Sequence, residues 1–316
     1  GISNGYDALF FAFKALDIKK GDEIIVPSNT FIATVLAVTR CDAIPVLVEP
    51  SLKTYNIDVA EIKKKITNKT KAIIPVHLYG SPCNMTELLK VSKQHKIPLI
   101  EDNAQAQGAK WNDQPTGSFG EINAVSFYPG KNLGALGDAG AITTNSEELY
   151  NIVTTLRNYG SKTKYNNELI GYNSRLDECQ AGFLTIKLKY LKQWNEERRR
   201  IAKLYLAALS DVGDLILPLE DQKAYSVYHI FNIRTDYRDA LQDHLNANQI
   251  QTLIHYPIPP HKQTCFEKHE FSEHSYPIAE ELSRTSLSLP IWPGMTINEV
   301  DFISSKIQLF FKNINH

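Results

Sequence analysis

The sequence predicts an α/β protein, with a large domain on a mostly parallel sheet followed by a smaller C-terminal α+β domain, and two observations carry that reading. Short apolar runs alternate with amphipathic stretches through the N-terminal part of the chain. A long charge-rich helical stretch after Asp177 then breaks at Ser210 to Gly213, beyond which apolar runs thin out. Strands that alternate with helices lie parallel, because each crossover returns the chain to the same end of the sheet.

The elements follow in order. Apolar runs at 23–27 (EIIVP), 43–48, 72–76, 98–100, 124–127 and 141–143 read as buried strands. Between several of them, 7–16, 30–39, 85–95 and 146–159 carry apolar residues at i, i+3, i+4 spacing and read as helices. Ser146 with Glu147 and Glu148 supplies an N-cap and an acidic first turn. From Asp177 the stretch ECQAGFLTIKLKYLKQWNEERRRIAKLYLAAL reads as one continuous helix, ended by Ser210 to Gly213 and by Pro218. The domain boundary is therefore expected there, giving 1–212 and 213–316. In the second part, 225–233 reads as a strand and 237–248 and 297–313 as helices.

Composition narrows the function. A chain of 316 residues can bury a sizeable core, and a net charge of −1 provides no field to draw nucleic acid or an anionic membrane surface. Four scattered cysteines without a CxxC spacing, and no apolar run long enough for a membrane span or a secretory signal, point to a soluble protein of the reducing cytoplasm. Each cysteine reads as a small buried apolar side chain. The start, GISNGYDAL without a Met, runs straight into a helix and predicts that an N-terminal segment precedes it.

Three segments carry candidate chemistry. Ser3-Asn4-Gly5-Tyr6-Asp7 precedes a helix, so its backbone N–H groups can receive a phosphate, although Ser, Asn and Gly there also serve as ordinary caps. PLIEDNAQAQGA runs an apolar strand into Glu101-Asp102, with Gln105 three residues on. Strand ends of this kind line the ligand crevice of an open α/β sheet, and an ionised acid there can keep a heterocyclic nitrogen protonated or can simply cap the next helix. In SFYPGKNLGALGDAG, Ser126 ends a strand and Lys131 sits in a loop bounded by Pro and Gly. A lone loop lysine is ordinarily a solvated charge. An acid, a serine and a lysine at the ends of consecutive parallel strands together suggest an amine poised to form an imine.

These segments resemble those of the DegT/DnrJ/StrS-type nucleotide-sugar aminotransferases, which use pyridoxal 5'-phosphate and have the fold type I architecture. The resemblance runs through NGYDAL, IIVPSNTFIAT, PVHLYGSPCNM, IEDNAQAQGA, SFYPGKNLGALGDAGAI, GYNSRLDECQAG and HYPIPPH, in family order along nearly the whole chain. It implies that Lys131 forms the imine with the cofactor and shuttles the proton, that Asp102 partners the pyridine nitrogen, and that Gln105 stacks on the ring. Ser126 and the Gly5-Tyr6 backbone would hold the phosphate. Asn173 would reach the phosphate in a neighbouring subunit, so the resemblance implies a homodimer with shared sites. Tyr165, His255 and Tyr256 would face the sugar nucleotide, the last two across the dimer.

Within that family the form SFYPGKNLGALGDGG accompanies amination of 3-keto sugars, and SFHxxKxxTTGEGG that of 4-keto sugars. This chain is similar to the first, with Ala139 where relatives carry Gly. The implied reaction converts a dTDP-3-keto-6-deoxyhexose to its 3-amino product with glutamate as donor, in deoxyamino-sugar biosynthesis of the kind that serves surface polysaccharides. A UDP-linked or 4-keto substrate and a regulatory protein that only binds the cofactor are the competing readings. Arg284, in a helical pattern, is not expected to clamp a carboxylate.

Overall fold

The first strand, β1 (Glu23–Pro27), forms where the sequence places it, and its Ile24, Ile25 and Val26 are fully buried. The computed structural model describes residues 1–219 and 221–314. β1 pairs in parallel with β2 (Ile44–Val48) on one side and β3 (Thr70–Ile73) on the other. Parallel bridges from Ile73 to Leu99 and from Val76 to Asp102 carry the order on to β4 (Ile100–Asp102), which pairs in parallel with β5 (Ile122–Ser126). β6 (Gly140–Thr143) closes the edge and runs antiparallel to β5. The sheet is thus mostly parallel, in the order 2-1-3-4-5-6. The predicted strand 72–76 is shifted, because pairing starts at Thr70 and ends in isolated bridges.

Helices cover both faces, and α2 (Ile32–Thr39), α5 (Glu147–Leu156) and α9 (Pro277–Thr285) fall in chain order between those described next. α1 (Gly5–Ala15) buries Leu9, Phe10, Phe11 and Phe13 against the sheet, in one core with Ile24, Val26 and Ile122. On the opposite face α4 (Met85–His95) buries Met85, Leu88 and Val91 against Ile25 and Ile73, in a core that also includes Ile62 of the helix α3 (Val59–Lys65). Side chains alternate across a strand, so Ile24 and Val26 enter one core and Ile25 the other.

The charged stretch after Asp177 is two helices, not one: α6 (Glu178–Leu188) and α7 (Leu191–Leu209), with the break at Lys189 and Tyr190. Ile201, Tyr205 and Leu209 of α7 pack into a second core with Phe231, Leu245, Leu287, Ile303 and Ile307. That core is built on an antiparallel pair, β7 (Phe231–Arg234) with β8 (Ser286–Leu289), and on α8 (Arg238–Ala247) and α10 (Ile297–Ile314). The run 225–233 is not one strand. It pairs at Ala224–Tyr225 and again from Phe231, and between them Tyr228 turns through a positive φ of 42°. Three carbonyls, of Tyr228, His229 and Ile291, accept hydrogen bonds from the Arg198 guanidinium of α7, which fixes that turn. Among the described residues no helix is long and apolar enough to cross a membrane.

Candidate active site

The strand ends converge on one crevice. β4 ends in two acids whose side chains face opposite ways because neighbouring residues on a strand alternate. Glu101 is wholly buried and its carboxylate accepts backbone N–H groups from Gly117, Phe119 and Gly120 at 2.6–2.9 Å. His77 Nδ1 accepts the Cys83 N–H, so its proton lies on Nε2, which donates to Glu101 at 2.8 Å. Despite burial, these bonds hold the Glu101 carboxyl below its usual range. Glu101 is thus committed to the fold.

Asp102 is the acid of the crevice. It accepts the Thr34 hydroxyl at 2.9 Å and the Ala104 N–H at 3.2 Å. Burial outweighs these bonds and the attraction of Lys131, and raises its pKa. A buried carboxylate with this deficit gains from a cationic partner.

Lys131 is half-buried in the loop between β5 and β6, and its amine has no hydrogen-bond acceptor or ion-pair partner among the described residues. Burial lowers its pKa from the usual lysine value, and the Asp102 charge opposes that shift only in part. The next residue is anchored firmly. Asn132 Nδ2 donates to Asn195 Oδ1 and to the Val227 carbonyl, and Asn195 Nδ2 donates to the Gln107 carbonyl. Gln107 in turn donates to the Ser126 carbonyl at 2.6 Å, so one chain of buried amides joins the lysine loop to the end of β5.

At that end Gly5 lies against Ser126: a Cβ on Gly5 would stand 2.7 Å from the serine Cβ. Asn4 caps α1 by accepting the Asp7 N–H, while the Gly5 and Tyr6 N–H groups have no acceptor among the described residues. Tyr6 itself is covered by the Arg40 guanidinium, 5.1 Å from its ring. Open helix N–H groups beside a serine hydroxyl suit a phosphate.

Gln105 is locked in place. Its Oε1 accepts the Tyr79 N–H at 2.6 Å and its Nε2 donates to the Tyr256 hydroxyl at 2.9 Å. His255 and Tyr256, joined by a cis peptide, are held by Ser288 at His255 Nδ1 and by the Tyr79 hydroxyl, which donates to the His255 carbonyl. Burial and then the Lys131 charge lower the His255 pKa to about 4, so its imidazole is neutral. Of this pair, Tyr256 meets Gln105 of its own chain.

Gly5, Tyr6, Asp102, Gln105, Ser126, Lys131, His255 and Tyr256 therefore line one region, and two expected residues lie elsewhere. Tyr165 is 89% exposed on a short hairpin at 161–167, and the exposed Asn173 pairs through its backbone with Asn158. Arg284 pairs with Asp236 at the surface, 3.1 Å away. Sequence reasoning did not single out Thr34, His77, Tyr79, Asn195 or His229. His77 had a signal, a polar residue closing an apolar run, while His229 was hidden inside a segment read as a strand.

Open helix N–H groups, a buried acid and a half-buried amine with no hydrogen-bond partner among the described residues, gathered at one parallel sheet, fit an enzyme of the aminotransferase type. The chain matches the DegT/DnrJ/EryC1/StrS aminotransferase family over residues 1–308 and belongs to that family. The dTDP-3-amino-3,6-dideoxy-alpha-D-galactopyranose transaminase of Aneurinibacillus thermoaerophilus is 49% identical over 310 residues, covering 98% of this chain and 85% of that protein. Among solved structures, S. venezuelae DesV in complex with a ketimine intermediate superposes with a TM-score of 0.96 at 42% identity, over 98% of this chain and 84% of that one. NtdA from Bacillus subtilis, solved with bound cofactor PMP, gives 0.92 at 31% identity over 98% and 72%.

Proposed function

We propose that this enzyme moves an amino group from glutamate to carbon 3 of a dTDP-linked 3-keto-6-deoxyhexose, with pyridoxal 5'-phosphate bound at Lys131. The carrying observation is the Lys131 amine, half-buried and without a hydrogen-bond partner among the described residues, lowered in pKa by burial while Asp102 is raised. The donor set fits that cofactor, and similarity to a dTDP-sugar transaminase and to a structure holding PMP supports the choice.

Each residue then has a task. The Gly5 and Tyr6 N–H groups and the Ser126 hydroxyl hold the phosphate, and Asp102 holds a proton on the ring nitrogen. Gln105, fixed by Tyr79 and Tyr256, presents a flat amide to the ring. Bound pyridoxal phosphate supplies an electron sink that makes a C–H proton of donor or product removable. Lys131, as a free amine of lowered pKa, would be the base that accepts that proton and the acid that gives it back. Glutamate leaves as its 2-oxo acid and the keto sugar leaves as the amino sugar, so atoms and electrons balance over two half-reactions.

A homodimer completes the site in this reading, with Asn173 and Tyr165 reaching the partner subunit's crevice. The exposed side chains of Ile170, Phe183, Ile186 and Leu188 offer an apolar surface for it. The four free cysteines are consistent with work in the cytoplasm.

The test is incubation with pyridoxal phosphate, glutamate and each 3-keto-6-deoxy dTDP sugar, with product mass and stereochemistry followed by NMR. A 3-amino product that disappears in Lys131→Ala supports the proposal. Amination of a 4-keto or UDP-linked sugar in its place overturns the substrate assignment. Consumption of glutamate in a single turnover with no sugar ever aminated points instead to a regulatory protein.

A further inference from the structure

His229 has no task in that scheme, yet it is half-buried beside Lys131 and its tautomer can be derived. The Val227 carbonyl only accepts, so the Asn132 group facing it is the amide NH2, and Asn132 Oδ1 faces His229 Nδ1 at 3.1 Å. The Gln107 carbonyl orients Asn195 by the same logic, which leaves Asn195 Oδ1 to accept from Asn132. Asn132 Oδ1 cannot donate, so His229 Nδ1 must carry a proton. Burial and the charges of Lys131 and Arg198 keep the ring neutral, with a single proton. Nε2 is then a bare lone pair, and it has no donor among the described residues.

We infer that His229 Nε2 accepts a hydrogen bond from a sugar hydroxyl flanking the keto carbon, and so is a specificity-determining residue for the sugar half-reaction. The reacting carbon must come to Lys131, and in a hexose its ring neighbours carry hydroxyl donors. Three other atoms nearby are engaged: His255 Nδ1 with Ser288, the Tyr256 oxygen with Gln105 and Gln105 Oε1 with Tyr79. A site that offers a fixed acceptor discriminates against a ligand lacking the matching donor, because the acceptor is then left buried and unpaired. The inference rests on the proposed sugar transamination.

Two substitutions separate this role from simple support of Asn132. In His229→Asn the new amide can stand at the place of Nδ1 and still donate to Asn132, with nothing at Nε2. In His229→Gln the amide reaches the place of Nε2. Half-reactions are followed separately by rapid mixing of the enzyme with glutamate and with the keto sugar. In His229→Asn, kcat/KM for the sugar should fall about tenfold, the loss of roughly one neutral hydrogen bond, while the glutamate half-reaction stays within about twofold. His229→Gln should retain sugar activity to within about threefold of wild type. Full sugar activity in His229→Asn, or an equal fall in both half-reactions, overturns the inference. Nitrogen NMR of histidine-labelled, cofactor-free wild-type protein gives an independent reading. A protonated Nδ1 and bare Nε2 are expected, and the reverse pattern sinks the assignment even if a variant misfolds. Wild-type enzyme inert toward every keto sugar would defeat the transamination reading itself, and the NMR spectrum would still decide the tautomer.

Discussion

Asn132 and Asn195 lie 63 residues apart in the chain and are joined by a buried hydrogen bond of 2.8 Å, which ties the loop of Lys131 to helix α7. The same asparagine of α7 reaches the Gln107 carbonyl, and Arg198 one turn later grips the segment holding Tyr228 and His229. The helix therefore acts as the frame against which the lysine is set.

Replacing Asn195 by Ala should strand the Asn132 amide and the Gln107 carbonyl without their partner. The expected cost is about 2 kcal/mol, the usual penalty for leaving buried polar groups unpaired. Urea unfolding checks the value. A loss below the error of the measurement would mean that water or a side-chain shift restores the bonds.

Gly5→Ala should disturb both the packing of α1 on β5 and the proposed phosphate site. The new methyl would stand 2.7 Å from the Ser126 Cβ and 3.2 Å from both its Cα and its hydroxyl, the group proposed to hold the phosphate. Fluorescence titration with pyridoxal phosphate should give a Kd raised about tenfold or more, the equivalent of one lost charge-assisted hydrogen bond. The same overlap should lower the melting temperature of the cofactor-free protein, and an unchanged melting temperature would mean that α1 shifts at no cost.

Glu101 has a folded pKa below its usual 4.5, so its contribution to stability is full above that value and is lost as pH falls through the lower folded one. Glu101→Gln should cost about 3 kcal/mol near neutrality, because its buried donors lose a charged acceptor. It should also flatten the acid limb of stability against pH. An acid limb unchanged in slope would assign acid unfolding to other carboxylates.

Lys131 is lowered as well, but here burial works against the charged form, so the charge costs stability where that of Glu101 adds it. Its folded pKa lies below the usual 10.5, so the unfolded chain binds more protons and the stability of the cofactor-free protein rises with pH toward that value. Lys131→Met removes the buried charge. It should raise the melting temperature of the cofactor-free protein at neutral pH and abolish the alkaline rise, while the wild type gains more from added pyridoxal phosphate than the variant does.

The parallel sheet was readable because its strands are nearly continuous apolar runs, as double-sided burial demands, and EIIVP matches β1 to the residue. Where burial is shared with backbone geometry the reading failed. The break at Lys189 and Tyr190 lies in a helical pattern that never loses its charge, and the turn at Tyr228 depends on Arg198 arriving from a distant helix. The crevice followed the same division. Asp102, Ser126 and Lys131 sit at strand ends or in an adjoining loop and were visible as motifs. Thr34, Tyr79 and His229 are defined by their hydrogen-bond partners, which only the folded chain brings together.

Glu101 and Asp102 are chemically near twins, and what divides their labour is the pleat of a three-residue strand. One looks toward the loop of Gly117 to Gly120 and the other toward Thr34 and Lys131. The fold thus uses parity as an address: a single residue inserted ahead of Glu101 would turn it toward the crevice and leave its loop donors facing the wrong side of the sheet. Length along this segment is consequently more tightly constrained than the identity of its acids, and an Asp or Glu exchange should be survivable where a one-residue slip is not.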